Sequence, residues 1–186
     1  NGIDAALADE LWERIKPFAA YAFNKSHSAS YGRVAYQTSY FKANYPSEYM
    51  AAVLTADAGN TDKIAESVDE CKKMQIEILP PDINESYASF TVIDSDDPET
   101  LPAIRFGLYS IKNFGEGIAD QVISERKNNG MYKSVVDLIE RVGGRHLNRK
   151  SLEALIYAGA LDSLEPEPTN SFDRWRADLI GNVDDL

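Results

Sequence analysis

Five residues in the second half of the chain form a turn of the kind that binds phosphate. They read Asn113-Phe114-Gly115-Glu116-Gly117, and the apolar residues on either side recur at helical spacing. Glycine lets the backbone turn without a Cβ penalty, and the first amides of a helix have no internal partner, so they face outward at positive potential. We therefore predict a phosphate-binding hairpin that uses Lys112, Asn113, Gly115, Glu116, Gly117 and Ile118.

This order of helix, hairpin and helix resembles the helix-hairpin-helix motif, which holds the nucleic-acid backbone through amides regardless of base sequence. The continuation Tyr132–Leu138 strengthens the resemblance. Asn113 lies where the motif usually has glycine, and we expect the turn to form because asparagine tolerates a left-handed conformation. We also expect Gly115 and Gly117 to adopt positive φ. The alternative is an ordinary helical hairpin with a glycine-rich turn.

A second basic turn, at 143–148, precedes a segment with helical periodicity, Arg149–Tyr157. Asn148 is a favourable N-cap for that helix, and Gly159 is a favourable residue to end it. Basic side chains crowd the start of the helix, where a phosphate is favoured. We therefore predict a second DNA-binding hairpin that contributes Arg145, Arg149 and Lys150.

No arrangement of residues predicts a catalytic centre or a metal site. The single Cys71 excludes an internal disulfide and fits a reducing cytoplasm, and two histidines with one cysteine cannot form a zinc cluster. The acidic run at 94–97 is the one tempting substitute, but its setting beside Pro98 indicates a solvated loop. We therefore predict no catalytic residue and no metal ligand in this chain.

The net charge of −11 argues against nucleic acid when it is averaged over all 186 residues, but the charge is uneven. Residues 104–160 contain nine Lys or Arg and six Asp or Glu, whereas 1–81, 82–103 and 161–186 are each net negative. A basic segment in an acidic chain predicts a backbone contact that is weak alone and depends on neighbouring domains. The alternative is a solvated helical surface of mixed charge.

Periodicity and capping residues predict a mainly α-helical fold with a small β-hairpin linker. Helices are expected over Ile3–Phe23 with a break or kink at Pro17, from a polar turn capped by Ser28 or Ser30, from Pro46, and over Lys63–Met74 after Asn60 or Thr61. Strands are expected at Phe90–Ile93 and Ala103–Phe106. We divide the chain into a helical segment (1–78), a linker (79–106), a tandem hairpin region (107–164), and a following helix or tail (165–186), in which Ser171–Arg176 begins a helix. No apolar run is long enough for a membrane span, and the start without Met indicates a longer parent chain.

An ordered series of short motifs carries a second resemblance, which covers nearly the whole chain. The motifs are Phe23–Tyr31, Ala35–Thr38, Lys42–Pro46, Asp69–Lys72, Leu79–Asn84, Ile104–Leu108, Ile111–Gly117, Leu147–Glu153 and Ala158–Leu164. In this order they resemble the C-family DNA polymerases, the alpha subunits of bacterial replicative DNA polymerase III. The matching part runs from the later fingers domain into the tandem helix-hairpin-helix region.

The resemblance implies that the chain serves a DNA-directed DNA polymerase in DNA replication. Such enzymes use magnesium held by palm-domain aspartates, which we expect upstream of Asn1, so the isolated chain should not extend a primer. The implied partners are duplex primer-template DNA, the incoming deoxynucleoside triphosphate, other replicase domains and the sliding clamp. The implied location is the cytoplasm.

The fingers segment of this family contacts the triphosphate of the incoming nucleotide. Here that segment offers the charge of Lys25, donors from Ser26 and His27, and a following helix start that favours an anion. Tyr31 fits the family pattern, either stacking near the nucleotide or packing in the core. The alternative for Lys25 and His27 is that they are exposed turn residues around a helix cap.

Two other classes of protein stay open at this point. A stand-alone DNA-binding or repair adaptor would use the same pair of hairpins without polymerase activity. A helical protein-interaction module would use the hairpins as scaffolding, and it predicts no salt-sensitive DNA binding. The reading frame of the parent chain would separate these classes, because the polymerase alone predicts palm aspartates upstream.

Overall fold

The computed structural model describes residues 2, 4–19, 24–95, 97, 99–143, 147–166 and 172–183 of the chain. It divides into two compact units, Asn1–Asn44 and Tyr45–Leu186. The fold is mainly helical with a small sheet, as the sequence predicted. None of the helices within the described ranges is long and apolar enough to cross a bilayer.

The described part of the first unit consists of helices α1 (Ala5–Ala19) and α2 (Lys25–Asn44). Helix α1 continues through Pro17 to its end, and the predicted extension to Phe23 lies outside the described residues. The predicted cap at Ser28 or Ser30 is wrong. The side-chain oxygen of Asn24 accepts a hydrogen bond from the amide of His27 (2.9 Å), so the helix begins before either serine.

The second unit opens with helices α3 (Pro46–Ala56) and α4 (Thr61–Lys73). Proline begins α3, where its missing amide proton costs no hydrogen bond. Of the two predicted caps for α4, Asn60 is the one used, because its side chain accepts from the amide of Lys63 (3.2 Å). Both helices pack on a short sheet around a core that includes Met50, Leu54, Cys71, Ile76, Phe90 and Ile104.

The sheet has three short strands in the order β1 (Ile78–Leu79), β3 (Ala103–Arg105), β2 (Thr91–Ile93). Strands β2 and β3 form the predicted antiparallel pair, with Val92 opposite Ile104. Strand β1 pairs with β3 in parallel, a pairing that the sequence does not predict. Two residues are too few to show a strand period, and the partner lies far along the chain.

The remaining helices of the second unit are α5 (Glu116–Asn129), α6 (Val135–Val142), α7 (Arg149–Ala158) and α8 (Phe172–Gly181). The helix predicted to begin in Ser171–Arg176 is α8. One hydrophobic core unites these helices, since buried side chains from every one of them belong to a single cluster: Ala119, Val122, Leu138, Leu155, Ile156 and Leu179. Both hairpin regions are therefore parts of one packed body.

The loop after β1 is held on this helical core by side-chain and backbone hydrogen bonds. The amide group of Asn84 donates to the Tyr132 carbonyl (2.9 Å) and accepts from the Tyr132 amide (2.8 Å). The Ile83 amide donates to the carbonyl of Ala160 (2.8 Å). These long-range contacts fix the loop between β1 and β2 against the helical core.

Candidate nucleic-acid interface

The first hairpin begins with a single 3-10 turn, Leu108–Ser110, instead of the α-helix that the sequence predicted. The chain then turns through Phe114, whose amide donates to the Ile111 carbonyl (3.1 Å). The Phe114 ring is only 3% exposed and belongs to the helical core. Burying this ring anchors the turn and leaves its two flanking residues, Asn113 and Gly115, exposed on the outside.

Asn113 has φ of 67°, the left-handed conformation expected of it. Gly115 has φ of −69° and Gly117 lies in the first turn of α5, so the expectation of positive φ at both glycines is wrong. The physical reason is that one left-handed residue reverses the chain here, and Asn113 already supplies it.

The start of α5 presents backbone amides that have no partner in the described part of the chain. The amides of Ile118 and Ala119 both donate to the Gly115 carbonyl (3.0 Å each), whereas those of Gly115, Glu116 and Gly117 make no hydrogen bond to the described residues. A Cβ placed on either glycine would meet nothing within 4 Å. All three residues are exposed, and their amides carry the partial positive charge of a helix N-terminus.

The side chains around these amides carry opposing charges. Lys112 is exposed and adds positive charge, while Glu116 is exposed at the same helix start. The carboxylate of Glu116 would repel a phosphate, so this residue can contribute only its amide. One turn along, Asp120 accepts a hydrogen bond from the hydroxyl of Tyr109 (2.6 Å), which holds the phenol proton and raises the pKa of Tyr109.

The second hairpin connects α6 with α7, and its helix ends follow the prediction. The side chain of Asn148 accepts from the amide of Ser151 (3.0 Å), and Gly159 ends α7 in the left-handed conformation (φ 75°). At the start of α7, Lys150 is exposed, and the guanidinium of Arg149 bonds the Glu153 carboxylate (2.8 Å). The predicted site residue Arg145 lies outside the described residues.

Two arginines counted in the basic excess of this region hold the fold together. Arg141 is paired with the carboxylates of Glu125 (3.1 Å) and Asp137 (3.2 Å). It also donates to the Gly130 carbonyl (2.8 Å), and its guanidinium lies 4.4 Å from the ring centroid of Tyr132. Such a group is already satisfied and is poorly placed to take a phosphate.

Arg126 is used in the same way. It donates to the carbonyls of Ile83 (2.7 Å) and Ser86 (2.9 Å), and burial lowers its pKa. The exposed basic side chains of this region that make no hydrogen bond or ion pair within the described ranges are lysines: Lys112, Lys127, Lys133 and Lys150. The charge of Lys133 also helps to lower the pKa of Asp137. The sequence count of positive charge therefore overstates what reaches solvent.

In the first unit, the predicted nucleotide-binding residues share the first turns of α2. Lys25, Ser26 and His27 are exposed there. The ring of Tyr31 lies one turn further, 4.4 Å from the His27 ring between centroids, and is 63% exposed. The structure thus brings the four together on one end of a helix, and among the described residues Tyr31 does not belong to a core.

The described residues do not fit a magnesium site. No group of three or more His, Cys, Asp or Glu side chains within the described ranges is placed to hold a metal ion. In the acidic loop, the Asp97 carboxylate accepts from the Glu99 amide (2.9 Å) and the Thr100 hydroxyl (3.0 Å), which lowers its pKa. That carboxylate closes a local turn, and Asp96 lies outside the described residues.

The chain belongs to the helix-hairpin-helix family. The family model described as "Helix-hairpin-helix motif" matches residues 75–170, which include both hairpins and the strands before them. This assignment agrees with the geometry of an exposed turn before α5 and a second turn before α7.

The chain is also similar to proteins named DNA polymerase III subunit alpha. It is 47% identical to that of Escherichia coli strain K12 over 89% of this chain, 44% identical to that of Borreliella burgdorferi over 100%, and 42% identical to that of Neisseria meningitidis serogroup A over 99%. These matches cover 14 to 15% of the length of the relatives. The chain therefore corresponds to a small part of each of them.

Proposed function

We propose that this chain is the part of a DNA polymerase III alpha subunit that grips the backbone of duplex DNA. The observation that carries the proposal is the start of α5, where the amides of three exposed residues have no acceptor within the described ranges and follow the exposed Lys112. Backbone amides and a lysine form hydrogen bonds and charge contacts with phosphate oxygens, and neither group reads a base. Binding is therefore independent of sequence.

The proposed grip is weak when the chain acts alone. One hairpin pair neutralises few phosphates, and the net charge of −11 repels DNA at long range. We expect a dissociation constant of about 10⁻⁴ M or poorer at physiological salt. In the longer polymerase, neighbouring domains would add the contacts that turn this grip into a useful one.

The first unit has a separate proposed role on the nucleotide side of the same enzyme. Lys25, Ser26, His27 and Tyr31 lie together at the start of α2, where a cation, hydroxyl and imidazole donors and a helix N-terminus favour a triphosphate. In this proposal, the longer cytoplasmic enzyme carries out the polymerase chemistry. It also holds the magnesium and binds the sliding clamp. We expect the 186-residue chain by itself to extend no primer.

The DNA-binding proposal is tested by titrating a fluorescent duplex with the chain at a series of salt concentrations. We expect two duplexes of unrelated sequence to bind equally and the logarithm of affinity to fall linearly with that of salt. Lys112→Ala should weaken binding and reduce the salt slope by about one, because one phosphate contact is lost.

The matched control is Lys72→Ala, which removes the same charge from an exposed lysine on α4 that pairs with Asp69 (3.2 Å). This variant should bind DNA like the unmodified chain. Equal effects of Lys112→Ala and Lys72→Ala, or no binding at low salt, would mean that the hairpins are scaffolding.

A further inference from the structure

A pocket of about 430 Å³ lies beside the first hairpin, between that turn and helix α7. Lys112 and Asn113 line it from the hairpin, and Tyr157 lines it from α7. Pro81 and Phe106 add apolar wall, and the hydroxyl of Ser110, also in the lining, is already bonded to the Gly107 carbonyl (2.6 Å). The pocket therefore combines an aromatic ring, apolar walls and a polar rim.

Gripping a duplex backbone does not require such a pocket. Phosphate contacts need amides and cations, whereas the Tyr157 ring is 71% exposed on a helix that already buries Leu155 and Ile156. Exposed aromatic rings beside basic groups are the usual means by which proteins hold unpaired bases, because every base has a flat π-face that stacks. The shape and chemistry of the pocket thus suit a nucleobase.

We propose that this pocket takes an unpaired nucleobase of the DNA strand whose phosphate lies on the first hairpin. The inference rests on the proposed grip of duplex DNA, since Lys112 and Asn113 belong to both sites. In this arrangement the base stacks on Tyr157 while Lys112 holds the adjoining phosphate. The chain therefore prefers a duplex that ends in a single strand over a blunt duplex.

Asn113 gives the pocket a group that glycine would not supply. Its side-chain amide has two donor hydrogens and an acceptor oxygen, and Asn113 is an exposed residue of the pocket lining. Such an amide can bond the edge of an unpaired base, as asparagine does with adenine. Asn113, which replaces the glycine usual in the motif, thus contacts the base in addition to forming the turn.

The test compares three labelled DNAs at low salt with the 186-residue chain: a blunt duplex, the same duplex with a short adenine overhang at the 5′ end, and one with that overhang at the 3′ end. We expect at least one overhang to bind about fivefold or more tightly than the blunt duplex, a ratio typical of one stacked base. Tyr157→Ala should abolish this preference and leave blunt-duplex affinity unchanged. Tyr157→Phe should keep the preference, because the ring stays.

Asn113→Gly is the second variant, and glycine accommodates the left-handed φ at this position. We expect it to lower the ratio of overhang to blunt affinity. Equal affinity for blunt and overhanging duplexes, with salt-dependent binding to both, would overturn the pocket assignment alone. No binding to any of the three DNAs would overturn the proposed grip and this inference together.

Discussion

At the scale of single residues, Asn113 determines the path of the backbone through the first hairpin. Its left-handed conformation reverses the chain, so Gly115 and Gly117 are free to adopt ordinary negative φ. The value of the two glycines then lies in their missing side chains, which leave the amides of α5 open to an approaching phosphate. Asn113 thus sets the backbone conformation of the turn, while Gly115 and Gly117 leave its amides accessible to phosphate.

Gly117→Val tests this division of roles. We expect the free energy of unfolding to change by no more than about 0.5 kcal/mol, because the site has helical backbone and open space around the new Cβ. Duplex affinity should fall, since a branched side chain covers the amides. Asn113→Val is the contrast and should cost about 1–2 kcal/mol through its left-handed φ. Chemical denaturation and DNA titration measure both effects, and a Gly117→Val chain that binds DNA normally would contradict the open-amide site.

At the scale of elements, local signals were predictable and long-range ones were not. Pro46, Asn60, Asn148 and Gly159 mark helix ends through their own backbone conformation or through bonds within a few residues, and each does so in the structure. The parallel pairing of β1 depends on a partner strand far along the chain. The cap at Asn24 was missed because several polar residues in a row compete for one amide, which sequence alone does not resolve.

The sequence also does not predict that Arg126 and Arg141 hold the fold together. Their partners lie on other elements, so a count of charges between 104 and 160 treats them as surface cations. The candidate site could be located from the glycine-rich turn, because amides at a helix start are a local feature. That the site offers exposed lysines, while Arg126 and Arg141 are partly buried and hydrogen-bonded, follows only from the packing of α5 against α6.

The cluster around Arg141 makes stability depend on acidity. A hydrogen bond from the Lys133 amide, with Arg141, lowers the pKa of Asp137, and one from Asn129, with Arg141, lowers that of Glu125. A carboxyl group whose pKa is lowered by folding stabilises the fold at any pH above its ordinary pKa of about 4. This contribution is lost as the pH falls through the lowered pKa.

We therefore expect urea unfolding midpoints to decline as pH is lowered from about 5 to about 3, and Asp137→Asn to weaken that decline. Asp69→Asn, on an exposed pair of α4, is the control and should keep the full decline. If Asp137→Asn left the acid dependence unchanged, the role assigned to this cluster would be wrong.

At the scale of the whole molecule, the net negative charge of the chain and the small share of its relatives that it covers both favour a weak DNA contact that acts together with others. The chain spans about 15% of the curated relatives that it matches, and only one stretch of it carries a positive excess. A weak, sequence-independent grip is useful when it is one contact among several in a larger enzyme. Membership of the helix-hairpin-helix family could be expected from the glycine-rich turn, and similarity to polymerase alpha subunits from the order of the motifs, whereas the residues that touch DNA or nucleotide stay predictions.

The predicted contact of α2 with a nucleotide belongs to this scale, because its test uses the proposed longer polymerase. Lys25→Ala and His27→Ala in the full polymerase should raise the KM for incoming nucleotide about tenfold or more, since each removes a charge-assisted contact to phosphate. DNA affinity should change less. Lys42→Ala, near the other end of α2, is the control. Unchanged nucleotide kinetics in both variants would identify Lys25 and His27 as surface residues of a helix start.

The most direct test of the central claim is a low-salt titration of the isotopically labelled chain with duplex DNA, followed by backbone amide shifts. We predict that the amides of 113–119 move first, together with those at the start of α7, while the amides of α3 and α4 stay in place. Rising salt should reverse the shifts. Shifts confined to other segments, or no shifts at all, would contradict the account of the first hairpin as a phosphate-binding site.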